Sequence, residues 1–424
     1  MPLIVQKYGG TSVADPDRMR AVADNVAFTR RHGNDVIVVV SAMGKSTDNL
    51  IALASQVSST RAGREMDMLL TTGERVSAAL LTMALHDLGV DAVSFTGSQV
   101  GIITDTTHGK AKIVEVKGDR VRKAVADGKV AVVAGFQGVS TDREITTMGR
   151  GASDLTASAL AAALGADSCE IYTDVTGVFS ADPRIVPQAR KLTRVSFDEM
   201  LEMAGSGSKV LALRSVEFAR NHGVALHVRS SFTWEPGTWV INVDDSHQDD
   251  KEKAMEDPII SGVVTDVSES KVTVLGVPDK PGISASLFES LAEANVNVDM
   301  IVQNTSTKGI TDISFTMPSA DMSVAEKIVQ RVADEIGAEG VTHDQDIAKV
   351  SLVGAGMKSS PGIAAKMFRT LADERINIEM ISTSTIRISV VIATSDLERA
   401  ARTLHSAFGL DSGNDYSAPL PERR

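Results

Sequence analysis

Val5-Gln6-Lys7-Tyr8-Gly9-Gly10-Thr11-Ser12 runs from an apolar strand through one lysine into two glycines and two hydroxyl residues. A lysine at a strand end followed at once by glycines is an anion-site arrangement. The glycines let backbone N–H groups approach a phosphate, and Lys7 adds a mobile positive charge. A helix beginning just beyond would aim its N-terminus near the same place. Taken alone, Lys-x-Gly-Gly is equally well explained as an ordinary strand-to-helix turn.

Outward from this turn, short Val/Ile-rich runs alternate with longer helical patterns. Leu3–Val5, Asp35–Val40, Val130–Ala134 and Glu170–Tyr172 read as strands, and Pro16–Arg31, Asp67–Leu88 and Ser153–Leu164 as helices. This alternation predicts an α/β three-layer sandwich with a mostly parallel central sheet. The 424 residues suggest about two or three domains. With 43% hydrophobic but only 4% aromatic residues, the core must be built from aliphatic side chains.

A formal charge of -12 argues against a nucleic-acid partner. Cys169 is the only cysteine, so no internal disulfide or multi-Cys metal site exists, and its apolar setting predicts a buried structural thiol. The eight histidines show no H-x-x-x-H spacing, and no resident metal is expected. Met1–Val5 opens without a signal-peptide pattern, and no run approaches the ~18 apolar residues of a membrane helix. A cytoplasmic enzyme with no membrane partner is the expectation.

The charged run around Asp244–Lys253 predicts a solvated connection, and the expected division is 1–245, then a linker over 246–258. Beyond it lies an internal repeat. Pro281-Gly282-Ile283 opens a stretch ending Asn297-Val298-Asp299-Met300-Ile301; 80 positions later Pro361-Gly362-Ile363 opens one ending Asn377-Ile378-Glu379-Met380-Ile381. Ala285, Phe288 and Ala292 match Ala365, Phe368 and Ala372, and their i, i+3, i+7 spacing predicts one core-facing helix stripe. Strand–loop–helix–strand is read twice, which predicts paired ferredoxin-like modules over 259–345 and 346–424, with strands free to interleave between them.

Two further loops bear on chemistry. Ser41-Ala42-Met43-Gly44-Lys45-Ser46-Thr47 resembles a P-loop ending, but that motif requires a glycine where Val39 stands. Its small and hydroxyl residues still suit the ligand-facing edge of an α/β sheet. Thr146-Thr147-Met148-Gly149-Arg150-Gly151-Ala152-Ser153-Asp154 leads into an alanine-rich helix with Ser153 or Asp154 as the natural N-cap. Capping leaves Arg150 unexplained, and a guanidinium between glycines is suited to grip a carboxylate.

Together with Thr72-Gly73-Glu74-Arg75, Phe95-Thr96-Gly97-Ser98-Gln99, Gly135-Phe136-Gln137-Gly138 and the tandem tail, these segments resemble the aspartate kinase family in its monofunctional bacterial form with two ACT modules. The resemblance covers nearly the whole chain in the family's order. It implies ATP-dependent phosphorylation of the side-chain carboxylate of L-aspartate to 4-phospho-L-aspartate, with Mg2+ carried by ATP. It places Lys7 and Asp154 as catalytic and Ser41, Thr47, Glu74, Arg150 and Ser153 around the amino acid. Nucleotide contacts would come from Lys7, Tyr8, Gly9, Gly10, Thr173, Asp174, Phe179, Ser180, Ala181, Asp182, Pro183, Arg184 and Lys209.

The resemblance further implies feedback by lysine and/or threonine. Effector contacts would come from Asp279, Ser284, Ala285, Asn297, Val298, Asp299 and Gln303, and from Ser360, Asn377, Ile378, Thr383 and Ser384. It implies a homodimer or higher oligomer through the ACT modules, and a possible small subunit starting near Met255. The sequence departs from the family pattern at Ala152 and Leu155, where glycine and a hydroxyl residue are usual, at Thr176, where aspartate is usual, and at Thr385, where glutamate is common. Alternatives are an amino-acid-kinase-type enzyme with another acceptor and a non-catalytic amino-acid sensor.

Overall fold

The strand Leu3–Tyr8 occupies the middle of an eight-stranded sheet in a computed structural model describing residues 1–59, 63–242, 259–304, 309–355, 357, 360 and 362–411. The linker at 246–258 and Met255 lie outside the described residues. Across the sheet the strands run Arg194–Ser196, Thr238–Ile241, Leu226–Ser230, Ser168–Thr173, Leu3–Tyr8, Asp35–Val40, Val130–Ala134 and Ala92–Phe95. Every pairing is parallel except that of Leu226–Ser230 with Thr238–Ile241.

The alternation of side chains along each strand divides the aliphatic residues between two cores. Val5, Ile37, Val39, Val133 and Ile171 face one core, which includes the helix Ala152–Leu164. Val36, Val38, Val40, Val132 and Tyr172 face the other, against the helices Pro16–Arg31 and Thr72–Asp87. Burial on both faces is why these strands read as nearly unbroken apolar runs. Cys169 is fully buried in the first core, and burial pushes its thiol up, as expected for a structural cysteine. A separate four-stranded sheet, Ile113–Val116, Ile102–Thr104, Gln137–Ser140 and Ile145–Thr147, carries the approach to Arg150.

The C-terminal half forms two antiparallel four-stranded sheets, and its strands interleave. One sheet runs Ile301–Gln303, Ile310–Pro318, Glu269–Pro278, Gly340–Asp344. The other runs Ile259–Asp266, Ile347–Ala355, Arg387–Ala393, Met380–Thr383. The strand Ile259–Asp266, read by sequence into the first module, thus pairs with Ile347–Ala355 of the second.

The two modules are joined by ion pairs that follow the repeat. Lys349 Nζ lies 2.5 Å from Asp299 Oδ2 and 2.5 Å from Glu269 Oε1. Its repeat counterpart Lys271 pairs in the opposite direction with Glu379, the counterpart of Asp299. The helix stripe requires correction: Ala285, Ala292, Ala365 and Ala372 are exposed, and Phe288 and Phe368 only half-buried. The core is made instead by Leu287 and Leu291 in one helix and Ile363, Met367 and Leu371 in the other. The alanine spacing marks a face next to the true stripe. No helix among the described residues is long and apolar enough to cross a membrane.

Candidate active site

The carboxyl ends of neighbouring parallel strands bring the predicted loops to one edge, where open α/β sheets bind ligands. Lys7 sits one residue from the end of the central strand, paired with Val39 and Ile171 in the flanking strands. Strand alternation aims it to the same face as Val5, toward the helix Ala152–Leu164. There Lys7 Nζ meets Asp154 Oδ1 at 2.5 Å, with both side chains about nine-tenths buried. The other Asp154 oxygen accepts from Ala212 N at 3.3 Å. Asp154 therefore does not cap its helix. Gly151 takes the N-cap position with φ +74°, and Ser153 and Asp154 lie inside the first turn, leaving Asp154 free for Lys7.

The glycines after Lys7 are required by a close approach. A Cβ on Gly10 would lie 2.8 Å from Ala42 O, and Gly10 O accepts from Gly44 N at 3.0 Å. Ser41 N donates to Tyr8 O at 3.1 Å, so the two loops are fastened edge to edge. The Tyr8 side chain points away from this edge. Its ring is fully buried and stacked on Tyr172 with centroids 4.6 Å apart, leaving only its backbone for a ligand.

Glu74, in the first turn of Thr72–Asp87, is buried beside the Ser41 loop. Its Oε1 accepts from Ala42 N at 3.2 Å, while Oε2 is buried without a hydrogen-bond partner. Burial pushes its carboxyl up to about 7, against two backbone hydrogen bonds that lower it. An acceptor held in this way is suited to a cation that arrives with a ligand. Arg150 is the complementary case: its side chain is 94% exposed, with its guanidinium 4.0 Å from Asp48 in the helix that also holds Thr47. Ser153 is buried against Gly135, where a Cβ would sit 2.7 Å from its Oγ.

The departures at Ala152 and Leu155 are absorbed into packing. Both are buried in the large core, and Ala152 starts the helix in a right-handed conformation, the positive φ falling on Gly149 and Gly151.

Thr173 Oγ1 donates to Asp174 Oδ1 at 3.1 Å at the edge of the strand ending Ser168–Thr173. Arg184 grips Asp182 through three hydrogen bonds of 2.6–3.2 Å, and this contact, with Lys209 contributing more weakly, holds the Asp182 carboxyl down. Arg184, Pro183 and Lys209 are exposed. The side chains of Ser180 and Ala181 are buried and directed toward the C-terminal half. Phe179 is half-buried.

Among the residues predicted to meet an effector, Ser284 Oγ donates to Gln303 Oε1 at 2.9 Å. Asp279 follows the strand Glu269–Pro278, and Ala285 is exposed on the next helix. Asn297 and Val298 lie in the loop before Asp299, whose carboxylate is engaged by Lys349. In the second module Asn377 and Ile378 precede the edge strand Met380–Thr383, Thr383 ends it, and Ser360 is half-buried. Ser384 turns toward the catalytic half, its Oγ donating to Glu202 Oε1 at 2.8 Å.

Sequence reasoning missed Asp67. It is buried, accepts from Thr147 Oγ1 at 2.5 Å and Gly109 N at 3.1 Å, and lies 2.7 Å from His108 Nδ1. Arg214 adds bonds to Met148 O at 2.7 Å and Ala111 O at 3.0 Å, so both residues brace the strand leading to Arg150. An aspartate inside a helical pattern gave no signal of this. Among the described residues no three His, Cys, Asp or Glu side chains converge as a metal-binding group.

A model described as the amino acid kinase family matches residues 2–230, and an ACT domain model matches 272–332 and 350–408. The chain is 52% identical over 423 residues to an aspartokinase of Corynebacterium efficiens, covering 99% of each. It is 54% identical over 423 residues to an aspartokinase of Mycobacterium tuberculosis, again covering 99% of each. Among solved structures it is similar to E. coli aspartokinase III in complex with aspartate and ADP, at 26% identity and a TM-score of 0.80, over 96% of this chain and 99% of that one.

Proposed function

The chain belongs to the aspartokinase branch of the amino acid kinase family, and from that premise we propose how its residues divide the work. The reaction is transfer of the γ-phosphoryl group of ATP to the side-chain carboxylate of L-aspartate. A carboxylate oxygen forms a bond to phosphorus, the bond to the bridging oxygen breaks, and 4-phospho-L-aspartate and ADP leave. The acceptor is already an anion at neutral pH, so no strong base is required. Catalysis rests on positioning and on neutralising charge.

The observation carrying this assignment is Lys7 paired with Asp154 at the end of the central strand. Asp154 holds the Lys7 ammonium where a transferring phosphoryl group would meet it, and the Gly9 and Gly10 backbone lies alongside. Glu74 receives the substrate ammonium through its unpartnered Oε2. Arg150, exposed at the mouth, closes on a substrate carboxylate, with Ser41, Thr47 and Ser153 completing the pocket. Thr173, Asp174, Asp182, Arg184 and Lys209 serve the nucleotide. When bound with ATP, Mg2+ would supply charge shielding at the phosphates.

Regulation is assigned to the ACT modules, with lysine and/or threonine as effectors. Assembly into a dimer or higher oligomer is assigned to their free sheet edges. The edge strands Ile301–Gln303 and Met380–Thr383 present Ile301 and Ile381, 51% and 44% exposed, and an edge that pairs with no further strand among the described residues is a template for pairing. A small subunit beginning near Met255 and a cytoplasmic location complete the proposal. Measuring ADP release with aspartate, with glutamate and without acceptor tests the activity.

A further inference from the structure

The segment linking the strand Ser168–Thr173 to Arg194–Ser196 belongs to two cores at once. Val178 is buried in the core of the large sheet. Ala181 and Val186 are buried with Leu352, Met367 and Leu404 in the core of the second C-terminal module. Between them lies Ser180, whose backbone oxygen accepts from Val263 N at 2.7 Å. Gly262 makes that approach possible, since a Cβ there would lie 2.6 Å from Ser180 O.

The Ser180 side chain is held from the far end of the chain. Its Oγ lies 2.9 Å from His405 Nε2, and His405 Nδ1 lies 2.5 Å from Asp411 Oδ1. Ser180 Oγ also accepts from Arg190 N at 2.8 Å. With Asp411 accepting from Nδ1–H, Nε2 is left to accept from the serine hydroxyl. Ser180 Oγ, both ring nitrogens of His405 and Asp411 Oδ1 are thereby all engaged. Serine, histidine and aspartate in this order resemble a nucleophilic triad. However, Ser180 is 1% exposed and His405 fully buried, so no substrate reaches the hydroxyl. Two neighbouring contacts reinforce the join: Arg190 Nε donates to Leu410 O at 2.5 Å, and Arg402 Nε to Ile185 O at 2.7 Å.

A single residue, Ala181, separates Ser180 from Asp182, which with Arg184 forms the solvent-facing end of the proposed nucleotide strip. We propose that His405 is a positioning residue for ATP, holding the segment 179–184 through Ser180 so that nucleotide affinity is set from the C-terminal module. This rests on reading that strip as nucleotide-binding. A buried hydrogen bond across the join transmits any displacement of the last helix, Leu397–Ala407, directly to Asp182 and Arg184. Effector-driven movement of the module would then register first in ATP binding.

The test is initial-rate kinetics on the full chain with ATP and aspartate varied separately. His405→Ala is expected to raise KM for ATP about tenfold, the scale of one lost buried hydrogen bond, with KM for aspartate within about twofold of the parent. His405→Gln, whose amide reaches toward the Nε2 position, is expected to restore most of the loss. Ser180→Ala, a smaller change should His405→Ala fail to fold, is expected to give a similar rise. Asp182→Ala tests the strip itself. If Asp182→Ala raises KM for ATP while His405→Ala and Ser180→Ala leave it unchanged, the positioning role is overturned and the strip stands. If Asp182→Ala leaves it unchanged, the strip reading fails and the proposal with it. Equal rises in both KM values without rescue by glutamine reduce His405 to a structural residue and overturn the proposal.

Discussion

Lys7 and Asp154, 147 positions apart in the chain, meet at 2.5 Å between the end of the central strand and the first turn of the helix Ala152–Leu164. This contact links the glycine turn to the Arg150 loop and gives the amine a fixed direction. Replacing Lys7 by alanine is expected to abolish turnover while circular dichroism and thermal unfolding show a folded chain. Asp154→Asn is expected to lower kcat by about 10²-fold, since Lys7 loses its anchor but keeps its charge. Normal kcat in Lys7→Ala would refute the assignment.

Glu74 predicts a pH dependence. Its carboxyl is pushed up to about 7, so between about 4.5 and 7 the folded chain holds a proton that the unfolded chain has lost. Glu74 therefore subtracts stability as pH rises through that window, and Glu74→Gln should flatten this part of the stability–pH curve. Substrate binding has the opposite slope, because the ammonium requires the carboxylate. Below pH 7, kcat/KM for aspartate is expected to fall up to tenfold per unit, approaching that limit only well below the pKa. A profile unchanged by Glu74→Gln contradicts the role.

The reciprocal ion pairs predict unequal consequences for the two lysines. Lys349 is 1% exposed between Glu269 and Asp299, so Lys349→Met leaves two buried or half-buried carboxylates facing each other and is expected to cost about 3 kcal/mol. Lys271, 22% exposed and facing Glu379 alone, is expected to cost about 1 kcal/mol or less. Denaturant unfolding of the two variants measures the difference, and equal losses would contradict the ranking.

The tail predicts a specific effector response. Thr385, where the family resemblance leads to an expectation of glutamate, lies in the exposed turn after Ser384, which contacts Glu202 of the catalytic half. Inhibition by lysine is expected to be weaker than in Thr385→Glu, whether or not threonine is present. A matrix of lysine and threonine, alone and together, measures this, and strong lysine inhibition of the parent that the variant does not exceed would remove the argument.

Much of this arrangement is legible in the order of residues. The parallel sheet follows from buried aliphatic runs of the right length, and Lys7, Glu74 and Arg150 stand out not singly but through the order in which their segments follow one another along the chain. What escaped depends on contacts between distant segments. Nothing local says that Ile259–Asp266 crosses to the second module, because a strand's pattern does not name its partner. Ala285 and Ala292 share a helical spacing with the buried stripe but lie beside it, and only packing separates the faces. Tyr8 and Ser180 fall within the expected motifs, yet strand alternation and the fit to the second module turn their side chains inward.

The central claim is tested most directly by ADP formation from ATP and Mg2+ with aspartate, with glutamate and without acceptor, alongside hydroxylamine trapping of the acyl phosphate. ADP and trapped product are expected in equal amounts with aspartate alone, and neither is expected with Lys7→Ala. ADP release that is independent of aspartate, or equal with glutamate, would contradict it.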